Sequence, residues 1–269
     1  MPIATKPFDS VANKVTTIIP CFNDSASLRR SVQSVQSQPC ASRIVIVDDG
    51  SDPAHAAEIG RIAAEFDATA IRLDERRGPA AARNAGLDIC RTPYVAFLDA
   101  DDVWLPGKLA AQLSEMEARA LSFSYMRYAN VCRGRAKVMP APQSLSRAEL
   151  LRNTAIGCST VMVARAFIGE RRFVEAECED LAFWAILLDG AQRAYRIGTE
   201  PMVLRHLGGR SRHRGRAALH YWRTLRGPLR LPPGEATRNF VSYAGRAMWK
   251  HWVPTGRTDA RLAALGPVS

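Results

Sequence analysis

The stretch YVAFLDADDVWLPGKL, residues 94–109, joins an apolar run directly to a cluster of acids. The run 94–98 is almost continuously apolar, which is typical of a strand buried on both faces of a sheet. Asp99 and Asp101 follow it, and alternate residues of an extended chain point the same way. Their carboxylates therefore predict a site for Mg²⁺ or Mn²⁺, which proteins hold with one or two carboxylates plus ligand phosphates. The alternative is that Asp101 or Asp102 caps the next helix.

Upstream of this stretch, strand and helix patterns alternate. The predicted strands are 15–20, 43–47 and 68–73, and the predicted helices are 25–37, 54–66 and 80–90. Such alternation predicts βαβ units. We therefore expect an α/β fold with a Rossmann-like, mostly parallel central sheet and helices on both faces.

Downstream, the pattern is less regular. Helices are predicted at 106–119 and 179–189, and strands at 160–164 and 201–206. Residues 125–147 are interpreted as a strand or two plus loops. The last forty residues are predicted to begin as a helix, so a C-terminal helical arm is expected.

Composition sets broad limits. The net charge is +11 and most of the positive charge is arginine, which suits either anionic ligands or a solvated basic face. The six cysteines are scattered without a C-x-x-C pair, which argues against a zinc cluster or redox motif. The N-terminal residues resemble no signal peptide, and no run of about 18 apolar residues occurs. We therefore expect a cytoplasmic protein with free thiols.

Polar residues follow each predicted strand, where open α/β sheets bind their ligands. Asn23 comes shortly after the first strand, and Asp48 and Asp49 come after the second. Arg83 lies in the helix before the fourth strand. The alternatives remain open: residues 48–51 suit a turn, and Arg83 suits a surface helix charge.

Four strings occur in a fixed order: VTTIIPCFND, IVIVDDGS, RRGPAAARNAGL and YVAFLDADDVWLPGKL. Together they resemble the family 2 glycosyltransferases, which have the GT-A fold and use nucleotide-sugars. The resemblance covers 15–109 strongly. It resumes over 160–188, where STVMVAR and FVEAECEDLAFWAILL are similar to the family's acceptor-side segment.

The resemblance implies a set of residues that bind the donor nucleotide, namely Pro20, Asn23, Asp48, Asp49, Arg83 and Asp99. Pro20 and Asn23 would line the nucleotide pocket, and Asp48 or Asp49 would accept a hydrogen bond from a uracil or thymine base. Arg83 would reach the base or the phosphates. Asp101 would be the firmer metal ligand, with Asp99 binding metal or ribose.

The resemblance also implies that Asp180 is the catalytic base, which takes the proton of the acceptor hydroxyl. The alternative is that Glu179 and Asp180 complement the helix dipole. Further contacts to acceptor or phosphate are expected from Glu179, Thr160, Trp104 and His206. The expected acceptor is a saccharide or a lipid-linked saccharide, and the expected reaction inverts the anomeric carbon.

The expected domains are a GT-A domain over 1–207 and a basic C-terminal extension over 208–269. The domain divides into a nucleotide-binding half, 15–109, and an acceptor-side half, 110–207. In the extension, two sets of residues suit anions or the inner face of a membrane: Arg210, Arg212 and Arg214, and Tyr221, Trp222, Trp249 and Trp252. The alternatives are an exposed basic loop and aromatic core packing.

The sequence therefore predicts an enzyme that transfers a sugar from a UDP- or dTDP-sugar to a hydroxyl, in bacterial surface polysaccharide or glycolipid synthesis. One alternative is a nucleotidyltransferase acting on sugar phosphates, although no glycine-rich phosphate loop occurs early in the chain. The other is a basic nucleic-acid-binding module, although aromatic residues interleave only weakly with the basic ones. No nucleic-acid partner is expected.

Overall fold

The computed structural model describes residues 13–132, 135–206 and 214–252. These residues form one sheet in the order β3-β2-β1-β4-β9-β6-β10-β5, with β7 on β6 and β8 on β10. Its strands are β1 Val15–Cys21, β2 Arg43–Asp48, β3 Thr69–Arg72, β4 Tyr94–Phe97, β5 Asp102–Trp104, β6 Phe123–Cys132, β7 Arg135–Val138, β8 Ser144–Ser146, β9 Met162–Ala164 and β10 Arg193–His206.

The sheet has a parallel half and a mixed half. Strands β3, β2, β1 and β4 are all parallel, with Ile18 opposite both Val45 and Phe97. Beyond β4, strand β9 runs antiparallel to both neighbours, and β5 runs antiparallel to β10. The parallel prediction therefore holds for the βαβ units. The later strands mix directions, since β6 and β10 are parallel whereas β9, β5, β7 and β8 run antiparallel to their neighbours.

Helices cover both faces, as predicted. They are α1 Ser25–Gln36, α2 Pro53–Glu65, α3 Pro79–Ile89, α4 Lys108–Ala118, α5 Arg147–Asn153, α6 Arg165–Ile168, α7 Glu179–Leu187, α8 Arg214–Arg226 and α9 Pro233–Trp252, with a 3-10 turn at Cys158–Thr160. Helices α1, α2 and α4 share one apolar cluster, and helices α3, α5, α7, α8 and α9 contribute to the other. The α/β fold class is thus confirmed.

Two glycines of the sequence motifs are required by close approach. A Cβ on Gly86 of α3 would lie 2.6 Å from the Ile18 side chain of β1, so this glycine lets α3 pack tightly on the sheet. Gly50 has a φ of +70°, and a Cβ there would lie 2.5 Å from the backbone of Glu75. The turn after β2 therefore depends on glycine.

The C-terminal helices α8 and α9 pack against the rest of the fold. Tyr221 and Leu225 of α8 and Ala236 of α9 are buried in the same cluster as Phe97 of the central sheet. Helix α9 also packs against α5. Aromatic core packing, the alternative to an interfacial role, therefore describes Tyr221, and Trp222 is partly buried against the same cluster.

Several expectations for the extension lie outside the described residues. Arg210 and Arg212 are not described, nor are the side chains of Arg214, Trp249 and Trp252. Within the described ranges, no helix is long and apolar enough to cross a membrane.

Candidate active site

A cleft of about 240 Å³ opens at the carboxyl ends of β1, β2 and β4. We call it the strand-end cleft. Its walls include Pro20, Phe22, Asp49, Arg83, Asp99, Asp101 and Glu179. Parallel strands end at one edge of a sheet, so residues that are far apart in the chain converge there. Glu179 reaches the same cleft from the start of α7.

The two acids after β2 have different surroundings. Asp48 is buried, accepts the backbone N–H of Ser51 at 2.9 Å and lies 3.2 Å from Arg72. Asp49 lines the cleft and accepts the backbone N–H groups of Arg77 and Gly78 at 2.8 and 2.9 Å. Asp48 therefore forms the predicted turn, and Asp49 is the acid of this pair that lines the strand-end cleft.

Pro20 lines the cleft, but Asn23 lies beside it. The side-chain oxygen of Asn23 accepts the backbone N–H of Asp52 at 2.9 Å, and the backbone N–H of Asn23 donates to Ser51 Oγ at 3.0 Å. Asn23 has a φ of +48°, in the left-handed region that asparagine tolerates better than most residues. Asn23 thus fixes the turns after β1 and β2 against each other and does not line the cleft as expected.

The loop from Asp99 to Asp102 is clamped from both sides. Ser31 Oγ of α1 lies 2.7 and 2.6 Å from the carbonyl oxygens of Ala100 and Asp102. On the other side, Ser159 accepts the Asp99 N–H at 3.1 Å and donates to the Asp102 carboxylate at 2.5 Å. We call residues 99–102 the acidic loop, and these bonds fix the directions in which its carboxylates point.

Neither Asp101 nor Asp102 caps the following helix. Helix α4 begins at Lys108 with Gly107 as its N-cap and has no side-chain cap. Asp102 is buried, and burial together with the nearby Asp99 raises its pKa to about 8. The capping alternative is therefore wrong, because β5 separates these acids from the helix.

Arg83 joins the two halves of the site. Its Nη2 donates to Asp99 Oδ1 and its Nη1 donates to Glu179 Oε1, both at 2.8 Å. The side chain is only 4% exposed, and its guanidinium lies 5.4 Å from the centre of the Phe173 ring. The surface-charge alternative for Arg83 is therefore wrong, because the residue is a buried link.

Asp99 and Asp101 suit a hard divalent cation. Burial and the negative charge of Asp99 raise the pKa of Asp101. Arg83 takes one oxygen of Asp99, and the rest of the pair faces the cleft. Among the described residues, no group of three or more His, Cys, Asp or Glu side chains is arranged for a metal. Two carboxylates plus ligand phosphates form the set that Mg²⁺ ordinarily uses.

His206 ends strand β10 next to this loop. Its Nδ1 lies 3.0 Å from the carbonyl oxygen of Asp101, and burial lowers its pKa. Its Nε2 has no partner among the described residues. The His206 ring therefore contacts the backbone carbonyl group of Asp101.

Glu179 and Asp180 are the first residues of α7, and they line different cavities. Glu179 lines the strand-end cleft, whereas Asp180 lines a second cavity of about 230 Å³. Burial and the neighbouring Glu179 raise the pKa of Asp180 to about 6, against the lowering effect of Arg83. A carboxylate with that pKa is ionised at neutral pH yet basic enough to accept a proton.

The second cavity lies where the C-terminal helices meet the body of the fold. Its walls include Tyr128, Gly157, Asp180, Arg205, His220, Tyr221 and Tyr243. We call it the arm cavity, since α8 and α9 supply His220, Tyr221 and Tyr243. Arg205 lies 3.6 Å from Asp102 and 5.3 Å from the Tyr128 ring centre. This contact connects the arm cavity to the acidic loop.

Two of the expected contact residues are buried inside the protein. Thr160 is fully buried and its hydroxyl donates to the Gly157 carbonyl at 2.7 Å. Trp104 is 2% exposed, and its indole N–H donates to the Ser159 carbonyl at 2.7 Å. Neither residue lines the strand-end cleft or the arm cavity. The expectation that they contact acceptor or phosphate is therefore wrong, because both support the floor of the site.

Sequence reasoning missed several residues that organise the site: Ser159, Asp102, Arg205 and Asn84. The Asn84 amide bonds both backbone groups of Phe173 at 2.9 Å, which ties α3 to the segment before α7. Asn84 lies inside the string AARNAG, so the motif itself was a usable signal. Ser159 and Arg205 had no comparable local pattern.

Comparison with known proteins identifies the chain. A sequence profile described as Glycosyl transferase family 2 matches residues 16–176. The protein is 33% identical over 245 residues to TuaG of Bacillus subtilis, a glycosyltransferase named for teichuronic acid biosynthesis, covering 88% of this chain and 96% of TuaG. The chain belongs to the family 2 glycosyltransferases.

Other relatives of this family 2 glycosyltransferase have more specific names. It is 32% identical over 192 residues to WfgD of Escherichia coli, covering 68% of this chain and 74% of WfgD. The name of that relative is UDP-Glc:alpha-D-GlcNAc-diphosphoundecaprenol beta-1,3-glucosyltransferase. Membership of the family sets aside the nucleotidyltransferase and the nucleic-acid-binding module.

Solved structures show the same fold. Staphylococcus aureus TarS 1-349 in complex with UDP-GlcNAc superposes with a TM-score of 0.66 at 15% identity, covering 87% of this chain and 72% of that chain. The mannosyltransferase PcManGT from Pyrobaculum calidifontis, in complex with GDP-Man and Mn²⁺, gives 0.64 at 18% identity, covering 89% and 72%. These likenesses confirm the GT-A fold expected from the sequence.

Proposed function

We propose that this family 2 glycosyltransferase transfers a sugar from a UDP-sugar to a hydroxyl of a saccharide acceptor, with inversion, during synthesis of a bacterial surface polysaccharide. The observation that carries the proposal is the bridge of Arg83 between Asp99 and Glu179. The bridge sets the acids of the strand-end cleft beside Asp180 at the edge of the arm cavity. Donor and acceptor would thus meet at the start of α7.

In this proposal the nucleotide lies in the strand-end cleft. Asp49 accepts a hydrogen bond from the N–H edge of uracil, and Pro20 lies beside the base. The Arg76 guanidinium, 4.2 Å from the centre of the Phe22 ring on the cleft wall, lies near the phosphates. Thymine offers the same N–H edge, so a dTDP-sugar is the second donor candidate.

The proposed metal is Mg²⁺ or Mn²⁺, held by Asp101 and by the oxygen of Asp99 that Arg83 leaves free. When bound, the cation would neutralise the charge that develops on the departing diphosphate. Arg83 keeps Asp99 in place, and Ser159 and Ser31 keep the loop rigid. His206 braces the loop at the carbonyl group of Asp101.

Asp180 is the proposed base. Its carboxylate takes the proton of the acceptor hydroxyl as that oxygen attacks the anomeric carbon from the face opposite the diphosphate. The oxygen–carbon bond forms as the bond to the diphosphate breaks, so the configuration inverts. The name of WfgD supports this, because UDP-glucose is an α-glycoside and a β-1,3 product requires inversion.

The acceptor in this proposal is a saccharide joined to a lipid through a diphosphate, as the name of WfgD indicates for that relative. The basic C-terminal region would then lie near the inner face of a membrane, where arginine side chains are attracted to anionic headgroups. Arg223 and Arg226 are exposed on α8 and suit such a surface.

A donor panel tests the proposal. Purified protein is incubated with UDP-, dTDP- and GDP-sugars in Mn²⁺, in Mg²⁺ or in EDTA, and nucleotide release and thermal shift are recorded. We expect a UDP-sugar with either cation to give the largest response, and EDTA to remove it. A response equal in EDTA would overturn the metal site, and a preference for GDP-sugars would overturn the assignment of Asp49.

A further inference from the structure

The arm cavity is separate from the strand-end cleft, although consecutive residues line the two. Glu179 faces the cleft and Asp180 faces the cavity. The cavity, of about 230 Å³, has room for a single sugar ring. Because Asp180 faces this space and not the strand-end cleft, a base at this position would meet the incoming alcohol in the arm cavity.

We propose that the arm cavity binds the terminal sugar ring of the acceptor, and that Tyr243 of α9 forms the wall on which this ring packs. The inference rests on the proposed function and adds the place and residues of acceptor binding. It also assigns a role to the C-terminal arm, which completes the site from outside the 16–176 family match.

The first support is the chemistry of the walls. Sugar rings present apolar C–H faces and a rim of hydroxyls, so their sites combine aromatic side chains with a few placed polar groups. The arm cavity has Tyr128, Tyr221 and Tyr243 as aromatic walls. Arg205 and His220 supply donors, and Asp180 supplies an acceptor.

The second support is that the aromatic wall is held in place. The Tyr221 hydroxyl donates to the Leu151 carbonyl of α5, and the Tyr243 ring stacks on Tyr221 with centroids 4.3 Å apart. Tyr221 is 1% exposed, whereas Tyr243 is partly exposed. Tyr243 is thus a preorganised platform with one accessible ring.

The third support is that the polar groups are oriented before any ligand binds. The Arg205 guanidinium is fixed between Asp102, at 3.6 Å, and the Tyr128 ring. His220 Nε2 lies 3.5 Å from Glu177. These pairs keep the donors at the cavity wall, so a sugar hydroxyl gains a partner without ordering a flexible side chain.

The test compares Tyr243→Ala, Tyr243→Phe and the control Val241→Ala, which alters an exposed residue of the same helix. The acceptor probe is α-D-GlcNAc diphosphate carrying a short isoprenoid tail, used with the best UDP-sugar at saturation. Loss of a packed aromatic ring should raise the acceptor KM by about tenfold or more in Tyr243→Ala. Tyr243→Phe and Val241→Ala should stay near wild type.

A second variant fills the cavity without removing a contact of the arm. Gly157 has extended backbone, φ −85° and ψ 141°, and an added Cβ would meet Tyr128 at 3.5 Å and Arg205 at 3.7 Å. Gly157→Ala should therefore fold normally. Because its methyl group enters the acceptor space, we expect a raised acceptor KM with an unchanged donor KM.

The rate at which water hydrolyses the UDP-sugar distinguishes failure of the acceptor site from failure of the proposed function. We expect Tyr243→Ala, Tyr243→Phe and Gly157→Ala to keep the wild-type rate of hydrolysis, since none of them alters a residue that lines the strand-end cleft. An unchanged acceptor KM in both Tyr243→Ala and Gly157→Ala, with donor hydrolysis intact, would overturn the acceptor role of the arm cavity alone. A wild-type protein that consumes no nucleotide-sugar would overturn the proposed function and this inference with it.

Discussion

The first half of the fold, residues 15–109, and the second half, residues 110–206, are built in different ways. In the first, side chains reach the strand-end cleft because parallel strands β1, β2 and β4 end at one edge. In the second, Ser159 and Arg205 come from separate elements of a mixed region and converge on Asp102, while Asp180 comes from α7 and lines the arm cavity with Arg205. The positions of the site residues are thus set by local sequence motifs in the first half and by packing between distant segments in the second.

If this contrast is right, substitutions in the two halves should affect different steps, and a residue that joins them should affect both. The contacts of Arg83, Asp180, Ser159 and Thr160 allow the contrast to be tested in decreasing order of effect.

The largest effect is expected from Arg83→Leu. Removing this buried cation leaves Asp99 and Glu179 facing each other unpaired, which costs about 3 kcal/mol in the free energy of unfolding. Donor binding and transfer should both fall, with kcat/KM reduced by a factor of roughly 10³, because both halves lose their link. Urea unfolding and steady-state kinetics measure the two effects.

The matched control is Arg172→Leu, which removes an exposed partner of Asp88 on α3. Exposed pairs contribute little, so its stability should change by less than about 1 kcal/mol. If Arg83→Leu resembled this control, the two halves would not depend on the bridge.

A pH profile gives the next effect. The pKa of Asp180 is raised to about 6 by burial and by Glu179, so its carboxyl group is protonated below that pH and is no longer a base. At saturating donor, kcat should therefore fall about tenfold per pH unit below 6 and level off above it. A flat profile between pH 5 and 8, with the protein folded throughout, would contradict the assignment of Asp180.

A smaller effect is expected from Ser159→Ala. The variant leaves the Asp99 N–H and the Asp102 carboxyl group without their shared partner, so the acidic loop should loosen. We expect a several-fold rise in donor KM in Mn²⁺ and little change in acceptor KM. Ser37→Ala is the control, since its exposed hydroxyl donates to the Ser34 carbonyl within the same turn of chain. Equal KM changes for donor and acceptor would contradict the expectation that the two halves of the fold affect different steps.

The smallest effect is expected from Thr160→Val. This change removes the buried hydrogen bond to Gly157 and should cost about 1 kcal/mol of stability. Neither KM should change, because the side chain faces the interior. Thr160→Ser keeps the hydroxyl and should be closer to wild type. A change in acceptor KM of more than about threefold would indicate that Thr160 contacts the acceptor after all.

The site residues that could be predicted from the sequence lie mostly in the first half of the fold. Asp99 and Asp101 were predictable because they directly follow a buried strand, and Asp49 because turn chemistry and strand order set its place. Asp48 and Asp49 were not separable, since only the contacts with Ser51 and Arg72 show which acid forms the turn.

The rest depended on contacts between distant segments. Ser159 and Asp102 are 57 residues apart, and no local pattern shows that a buried serine will bond a particular acid. Trp104 and Thr160 lie next to functional motifs, and only burial shows that they are structural. Helix α8 was hidden by its many arginines, although Tyr221, Thr224 and Leu225 have helical spacing and are buried.

The most direct test measures UDP binding by calorimetry with and without Mn²⁺, and sugar transfer, in Asp101→Ala and Asp180→Asn. We predict that Asp101→Ala loses the Mn²⁺-dependent part of UDP binding. Asp180→Asn should bind UDP and Mn²⁺ like the wild type yet transfer sugar more slowly by a factor of roughly 10³. Wild-type transfer by Asp180→Asn, or undiminished Mn²⁺-dependent binding by Asp101→Ala, would contradict the division of labour between the cleft and the cavity.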